Sequence, residues 1–194
     1  MSQKRPDPLN VLPYATVRDS IHTGYLALVE GDGAIANIIQ RRTDSPYSHV
    51  AVAGWESEGD VLMAGESTHP ESRAVTLSSI LRASPGRVDI YRLRPEISQL
   101  VKFGKVWEFM LRATGQSYPV EVLYHIWKDI VGLDPPHYPN SDNPETRRVC
   151  SQLAHAAFRV AGMPPMNPHD CCIYPCHWAN PEWSEYLCTP VVEE

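Results

Sequence analysis

The chain has 194 residues, of which 43% are hydrophobic and 21% are charged, and its formal net charge is −6. This is ordinary globular composition, and the length suits one domain with a sizeable core. Because the chain is acidic and has no cluster of basic residues, the sequence excludes a protein that binds nucleic acid through its phosphates.

The sequence also bears on location and redox state. No apolar run reaches the roughly 18 residues of a membrane helix, so we expect no membrane span. The N-terminus is charged, contains proline and is not followed by an apolar signal segment, so we expect a cytoplasmic protein, or one delivered by a phage or by non-classical export. Five cysteines, an odd number, argue against a disulfide framework.

The first half of the chain is predicted to form strands. Residues 1–12 are predicted to be an N-terminal tail, and residues 13–194 a single domain. Short apolar runs bounded by turn residues indicate the strands. These runs cover residues 25–29, 48–53, 61–64 and 88–93, with a short helix over 34–40.

The second half is predicted to be mainly helical. Apolar residues recur at helical spacing over 100–111, 120–131 and 149–160. Ser98 is predicted to be the N-cap of the first of these helices, and Gly115 its C-terminal stop. Strands followed by helices are typical of an α+β fold, here with a mostly antiparallel sheet packed against helices.

Cys150 is the candidate nucleophile because it begins the third predicted helix. The N-terminal end of a helix carries partial positive charge and unpaired N–H groups, which lower the pKa of a thiol and can bind an oxyanion. Arg147 and Arg148 add positive charge directly upstream. The alternative is a small buried core thiol, which many free cysteines are.

His49 and Glu66 are the candidate partners of this thiol. His49 shares one face of its strand with Ala51 and Ala53, whose small side chains leave space for an imidazole. Glu66 follows the strand over 61–64, so its carboxylate can reach the far nitrogen of the ring and orient it. Each residue alone is more often structural or solvated, but together they form a Cys-His-acid set.

Two motifs resemble those of a known family. Residues 45–52, SPYSHVAV, are similar to the YSHVGI strand of the permuted NlpC/P60 hydrolases, and residues 149–153, VCSQL, to their YCSEL helix start. These YiiX-like proteins are circular permutants of the papain-like fold, and their order of His strand, acid and Cys helix is the order found here. The resemblance covers roughly residues 20–162.

The resemblance implies a circularly permuted papain-like fold and a thiol hydrolase that cleaves amide (peptide) or ester bonds without a metal or cofactor. Cys150 would attack the carbonyl carbon, His49 would take and return the proton, and Glu66 would orient His49. The substrate would be a peptide or a small acyl-containing molecule, and cell-wall peptides are the best-known target of the family.

Other side chains are expected to contact the substrate. These are Tyr47, Tyr118 and Ser151. The chain departs from the family where Pro119 follows Tyr118, in place of an aspartate, and where Gln152 stands in place of a glutamate. These changes affect substrate choice more than the nucleophile.

Three further functions stay open on the sequence alone. A lipid or acyl-group transferase and a non-catalytic binding module would share the fold. A small zinc-binding structural protein would use the C-terminal cluster of His169, Cys171, Cys172, Cys176, His177 and Cys188. This cluster lacks paired C-x-x-C spacing, so packing thiols are the favoured interpretation and no metal site is predicted.

Overall fold

A mixed β-sheet with helices on both faces organises the chain. The computed structural model describes residues 3–7, 9–56, 60–121, 128, 142–166 and 173–193. The strands are β1 (Val11–Pro13), β2 (Leu26–Val29), β3 (His49–Glu56), β4 (Val61–Ser67), β5 (Ser72–Thr76), β6 (Val88–Leu93) and β7 (Ser184–Val191). The helices are α1 (Tyr14–Val17), α2 (Ala34–Thr43), α3 (Leu77–Ala83), α4 (Pro95–Ser98), α5 (Phe103–Arg112) and α6 (Cys150–Val160), with 3₁₀ turns at Arg18–Ser20 and Pro175–Ala179.

The seven strands lie in the order β1-β7-β6-β2-β3-β4-β5. The β1–β7 pair is parallel, and the other neighbouring pairs are antiparallel. This architecture confirms the predicted α+β class. The central strand β2 is buried at all four positions because both faces of the sheet are covered, which explains its unbroken apolar sequence.

Side chains of β2 and β3 alternate between two cores. On one face, Leu28 and Val50 belong to the cluster that includes α5 and α6. On the other, Ala27 and Ala51 belong to the cluster that includes α3. The two faces therefore place the Cys150 helix and α3 on opposite sides of the sheet.

A glycine sets the distance between α5 and the sheet. A Cβ atom on Gly54 of β3 would lie 2.1 Å from the Trp107 ring of α5. Only glycine therefore lets this indole pack directly on the strand backbone. The contact holds α5 on the same face as α6, the helix that carries Cys150.

The predicted N-terminal tail is the largest correction to the fold. The Gln3 backbone N–H donates to the Asp44 carbonyl at 2.8 Å, and Arg5 forms an ion pair with buried Asp89 at 2.6 Å. Strand β1 then pairs with β7. The tail prediction is wrong because these partners lie far away in the sequence and leave no local pattern.

Other elements also differ from the sequence prediction. Ser98 ends α4, and the N-cap of α5 is Lys102. Strands β5 and β7 and helix α3 were not predicted. The predicted helix over 120–131 lies largely outside the described residues. None of the helices in the described part of the chain has the length and apolar character needed to cross a membrane.

Candidate active site

The Cys150 helix is fixed to the sheet at its first turn. Helix α6 begins at Cys150, after Val149 in an extended conformation. The Ser67 hydroxyl, at the end of β4, donates to the Arg148 carbonyl at 2.5 Å. Cys150 itself is only 8% exposed. The thiol is therefore held where α6 meets the end of β4.

The sulfur of Cys150 lies close to the point where β3 and β4 stop pairing. At the end of the ladder nearest His49, the last paired residues are Val52 of β3 and Gly65 of β4. Both strands continue beyond this pair without pairing to each other. Beyond it, the backbone N–H groups of Val50 and Ser151 lie close enough to the Cys150 sulfur to help lower the pKa of the thiol. Two main-chain donors, one from a strand and one from a helix start, therefore converge on this sulfur.

His49 joins the thiol to a carboxylate. Its Nε2 lies 2.6 Å from Oε2 of Glu66, and its ring lies close enough to Cys150 for each group to shift the pKa of the other. Arg73 binds the other carboxylate oxygen, Oε1, through Nε at 2.9 Å and Nη2 at 2.8 Å. The four side chains form a continuous chain of contacts from α6 across β3 and β4 to β5. Arg73 was not singled out in the sequence, where only recognition of the β4–β5 hairpin would have placed it opposite Glu66.

The electrostatics favour a thiolate beside an imidazolium. Burial opposes ionisation of Cys150, but the His49 charge and the two N–H donors outweigh it, so the pKa of Cys150 is lowered. Burial likewise opposes protonation of His49, but Cys150 and then Glu66 outweigh it and raise the His49 pKa to about 10. Burial also opposes ionisation of Glu66, yet His49 and Arg73 hold its pKa below the usual value. Both shifts favour a thiolate beside an imidazolium at neutral pH.

We expect Cys150 to be the fastest thiol at neutral pH. Because the pKa of Cys150 is lowered, its iodoacetamide alkylation rate should rise less between pH 7 and pH 9 than that of an ordinary thiol, which gains more than about tenfold. Peptide mapping of the native protein by mass spectrometry measures the rate at each cysteine.

Cys188 is the internal reference for this experiment. Burial and the Asp89 charge raise the pKa of Cys188 to about 11, so its labelling should rise steeply with pH. In His49→Ala, Cys150 should lose its advantage at pH 7. If the rates of Cys150 and Cys188 rose in parallel with pH, a pre-formed ion pair would be ruled out.

The structure separates the three predicted substrate contacts. Tyr118 lies near enough to Cys150 for the thiolate charge, together with burial, to raise the pKa of the Tyr118 hydroxyl. Tyr47 is a correction: it is 0% exposed, and its hydroxyl donates to Asp89 at 2.7 Å inside the core. Ser151 is also buried, and its hydroxyl donates to the Ile173 carbonyl at 2.6 Å, which leaves its backbone N–H at the site.

The two arginines before Cys150 serve other contacts. Arg147 forms an ion pair with Glu121. Arg148 donates to the carbonyls of Asn143 and Thr146, both at 2.9 Å. The expectation that they add positive charge at the thiol is therefore corrected, since His49 and the main-chain donors are what lower the pKa of Cys150.

A cavity of about 300 Å³ opens beside the imidazole. His49, Glu66 and Arg73 form its polar wall, and Val75 and Ile80 are among its apolar lining residues. The cavity lies between the sheet and α3, on the side of the ring that faces Glu66. Cys150 is not among its lining residues, so the cavity opens beyond the imidazole and not at the thiol.

The C-terminal cysteines do not form a zinc site in the part of the chain that the structure describes. Within the described residues, no three His, Cys, Asp or Glu side chains are grouped so that they could hold a metal ion. Cys176 and Cys188 are free thiols, and His177 accepts a hydrogen bond from the Tyr174 backbone N–H at 3.0 Å. His169, Cys171 and Cys172 lie outside the described residues.

Fold and site together define a mixed α+β protein with a thiol, imidazole and carboxylate in contact. No protein-family model matches the sequence, and no curated protein matches it. Among solved structures, the fold is similar to the crystal structure of metalloprotein yiiX from Escherichia coli O157:H7, with a TM-score of 0.51 and 17% identity. The match covers 72% of this chain and 66% of that one, just under two thirds of its length. At this identity the likeness shows the fold alone.

Proposed function

We propose that this protein is a cysteine hydrolase of the circularly permuted papain-like type, which cleaves amide or ester bonds. The observation that carries the proposal is the shared imidazole of His49, whose Nε2 lies 2.6 Å from Glu66 while the ring also binds Cys150. Because Nε2 is taken by the carboxylate, Nδ1 is the nitrogen that serves the thiol. This is the arrangement that activates a sulfur nucleophile.

The chemistry follows from these contacts. The Cys150 thiolate attacks the carbonyl carbon, and the carbonyl oxygen takes the negative charge at the start of α6, where the backbone N–H of Cys150 would supply one donor. When the carbon–nitrogen or carbon–oxygen bond breaks, His49 Nδ1 gives its proton to the leaving amine or alcohol. Water then attacks the thioester, His49 takes a proton from it, and the acid is released while the thiolate re-forms.

Glu66 keeps the ring in place during both steps. Its ionised carboxylate accepts from Nε2, which fixes the tautomer and stabilises the imidazolium. The intact ion pairs at this site favour turnover over a binding module that has lost its chemistry. A peptide, including a cell-wall peptide, and a small acyl ester are the substrate classes that suit this mechanism.

The protein of similar fold, yiiX, is described as a metalloprotein. The three central side chains here are bonded to one another, and the described residues contain no group of three metal-binding side chains. These residues do not fit a metal ion at this site, so no step of the proposal runs through one.

An acyl-enzyme is the most direct test. Nitrophenyl acetate should give a burst of nitrophenol, and rapid acid quenching should trap one acetyl group, which peptide mapping then locates at Cys150. Cys188→Ser is the matched control and should keep the burst and the adduct, because that thiol lies apart from His49. A burst carried by another cysteine, or no acylation by any ester or activated amide tried, would count against the proposal.

A further inference from the structure

Glu66 is held by two partners that divide its oxygens between them. Arg73 donates from Nε and Nη2 to Oε1, at 2.9 and 2.8 Å, while His49 has Oε2. Glu66 and Arg73 are directly opposed in the antiparallel β4–β5 ladder. Since two nitrogens of one planar guanidinium meet the same oxygen, the carboxylate cannot rotate without breaking both bonds.

We propose that Arg73 is a positioning residue, which aims Glu66 at His49 and so sets the orientation of the imidazole toward Cys150. This inference rests on the proposed function but concerns a residue outside the Cys-His-acid set. Arg73 acts through Glu66 and does not touch the sulfur. This positioning role explains why the half-exposed Arg73 pairs with Glu66, which is only 5% exposed.

The charges around Glu66 support this role. From β3 it faces His49, from β5 it faces Arg73, and beyond the imidazole lie Cys150 on α6 and the neutral hydroxyl of Tyr118. Helix α3 contributes neutral side chains to the adjoining cavity. Arg73 is therefore the cation that balances the carboxylate while Cys150 and His49 balance each other. Its removal should raise the pKa of Glu66 and of the thiol, because a nearby positive charge favours both anions.

If Arg73 had a purely structural role, its removal would change the stability of the protein and leave the reactivity of Cys150 unchanged. Arg73 is half-exposed, and without it the buried Glu66 carboxylate still has His49 as a partner, so Arg73→Met should lower the unfolding midpoint only modestly. Arg92→Met is the matched control, because Arg92 is 46% exposed and pairs with Glu185 across β6 and β7, while Arg73 is 50% exposed. Arg92→Met should unfold with the wild type because its partner Glu185 is 37% exposed, and only Arg73→Met should alter the site.

The measurement is the pH dependence of Cys150 alkylation and of nitrophenyl ester hydrolysis. We expect Arg73→Met to move the acid limb of both profiles upward by about one pH unit, so that kcat/KM falls by up to about tenfold on that limb and not on the plateau. Arg73→Lys should fall between this variant and the wild type, because lysine keeps the charge but offers one nitrogen instead of two. Arg92→Met should reproduce the wild-type profiles.

A double-mutant cycle separates positioning from an independent effect. Glu66→Ala with Arg73→Met should be no more impaired than Glu66→Ala alone, since Arg73 then has no carboxylate to aim. Losses that multiply, or wild-type profiles in both Arg73 variants, would overturn the inference. If wild-type protein shows the shifted thiol but hydrolyses nothing, the proposed function fails while the role of Arg73 is still decided by the alkylation profiles.

Discussion

Cys150→Ala is expected to lose ester hydrolysis by at least about 10³-fold without loss of the fold. The variant removes the sulfur that forms the thioester, whereas the helix start stays fixed by the bond between Ser67 and the Arg148 carbonyl. One sulfur atom is lost from a site that is 8% exposed, so the free energy of unfolding should fall by only about 1 kcal/mol. Initial rates and urea unfolding curves on the same samples give both quantities.

The companion variant His49→Ala tests whether the two residues act as one unit. Without the imidazole the thiol loses the neighbour that lowers its pKa, so most of the activity should disappear with either substitution. The double variant should be about as inactive as each single one, because a nucleophile and its base contribute jointly. Cys188→Ala serves as the control and should retain activity. Independent, multiplying losses would contradict the assignment.

The three catalytic candidates were predictable because each stands next to a local pattern. An apolar strand surrounds His49, a strand end precedes Glu66, and Cys150 begins an amphipathic helix. The sequence predicted their contact only through the order of His, acid and Cys along the chain, since His49 and Cys150 are about a hundred positions apart. Arg73 and the Val50 N–H were missed, because both depend on strand pairing that no single segment encodes.

The errors in the fold have a common physical cause. Strand β5 is short and ends directly at α3, and β7 carries a proline, Pro190, next to the parallel β1. Neither shows an apolar run of the kind that identified β2 and β6. Tyr47 was expected at the substrate, but it lies before β3 begins, and its side chain packs in the core with Val50 and Val52. Tertiary pairing, rather than local propensity, decides these positions.

Arg5→Met is expected to destabilise the protein by about 3 kcal/mol. Asp89 is 0% exposed and accepts from Arg5 Nε at 2.8 Å and Nη2 at 2.6 Å, from the Tyr47 hydroxyl at 2.7 Å and from the Thr189 hydroxyl at 2.6 Å. Without Arg5 the carboxylate keeps two neutral donors but loses the cation that pairs with it, and a buried charge without its partner is costly. Urea unfolding at neutral pH measures the change.

Two further variants show whether charge burial is the cause. Arg87→Met removes a more exposed ion pair with Asp32 and should cost less than about 1 kcal/mol. Adding Asp89→Asn to Arg5→Met should recover part of the lost stability, because a neutral amide has a smaller desolvation cost than a carboxylate. The Tyr47 hydroxyl binds the same carboxylate two residues before His49, so the network also steadies the start of β3. If Arg5→Met and Arg87→Met unfolded at the same urea concentration, the N-terminal segment would be no more than a surface attachment.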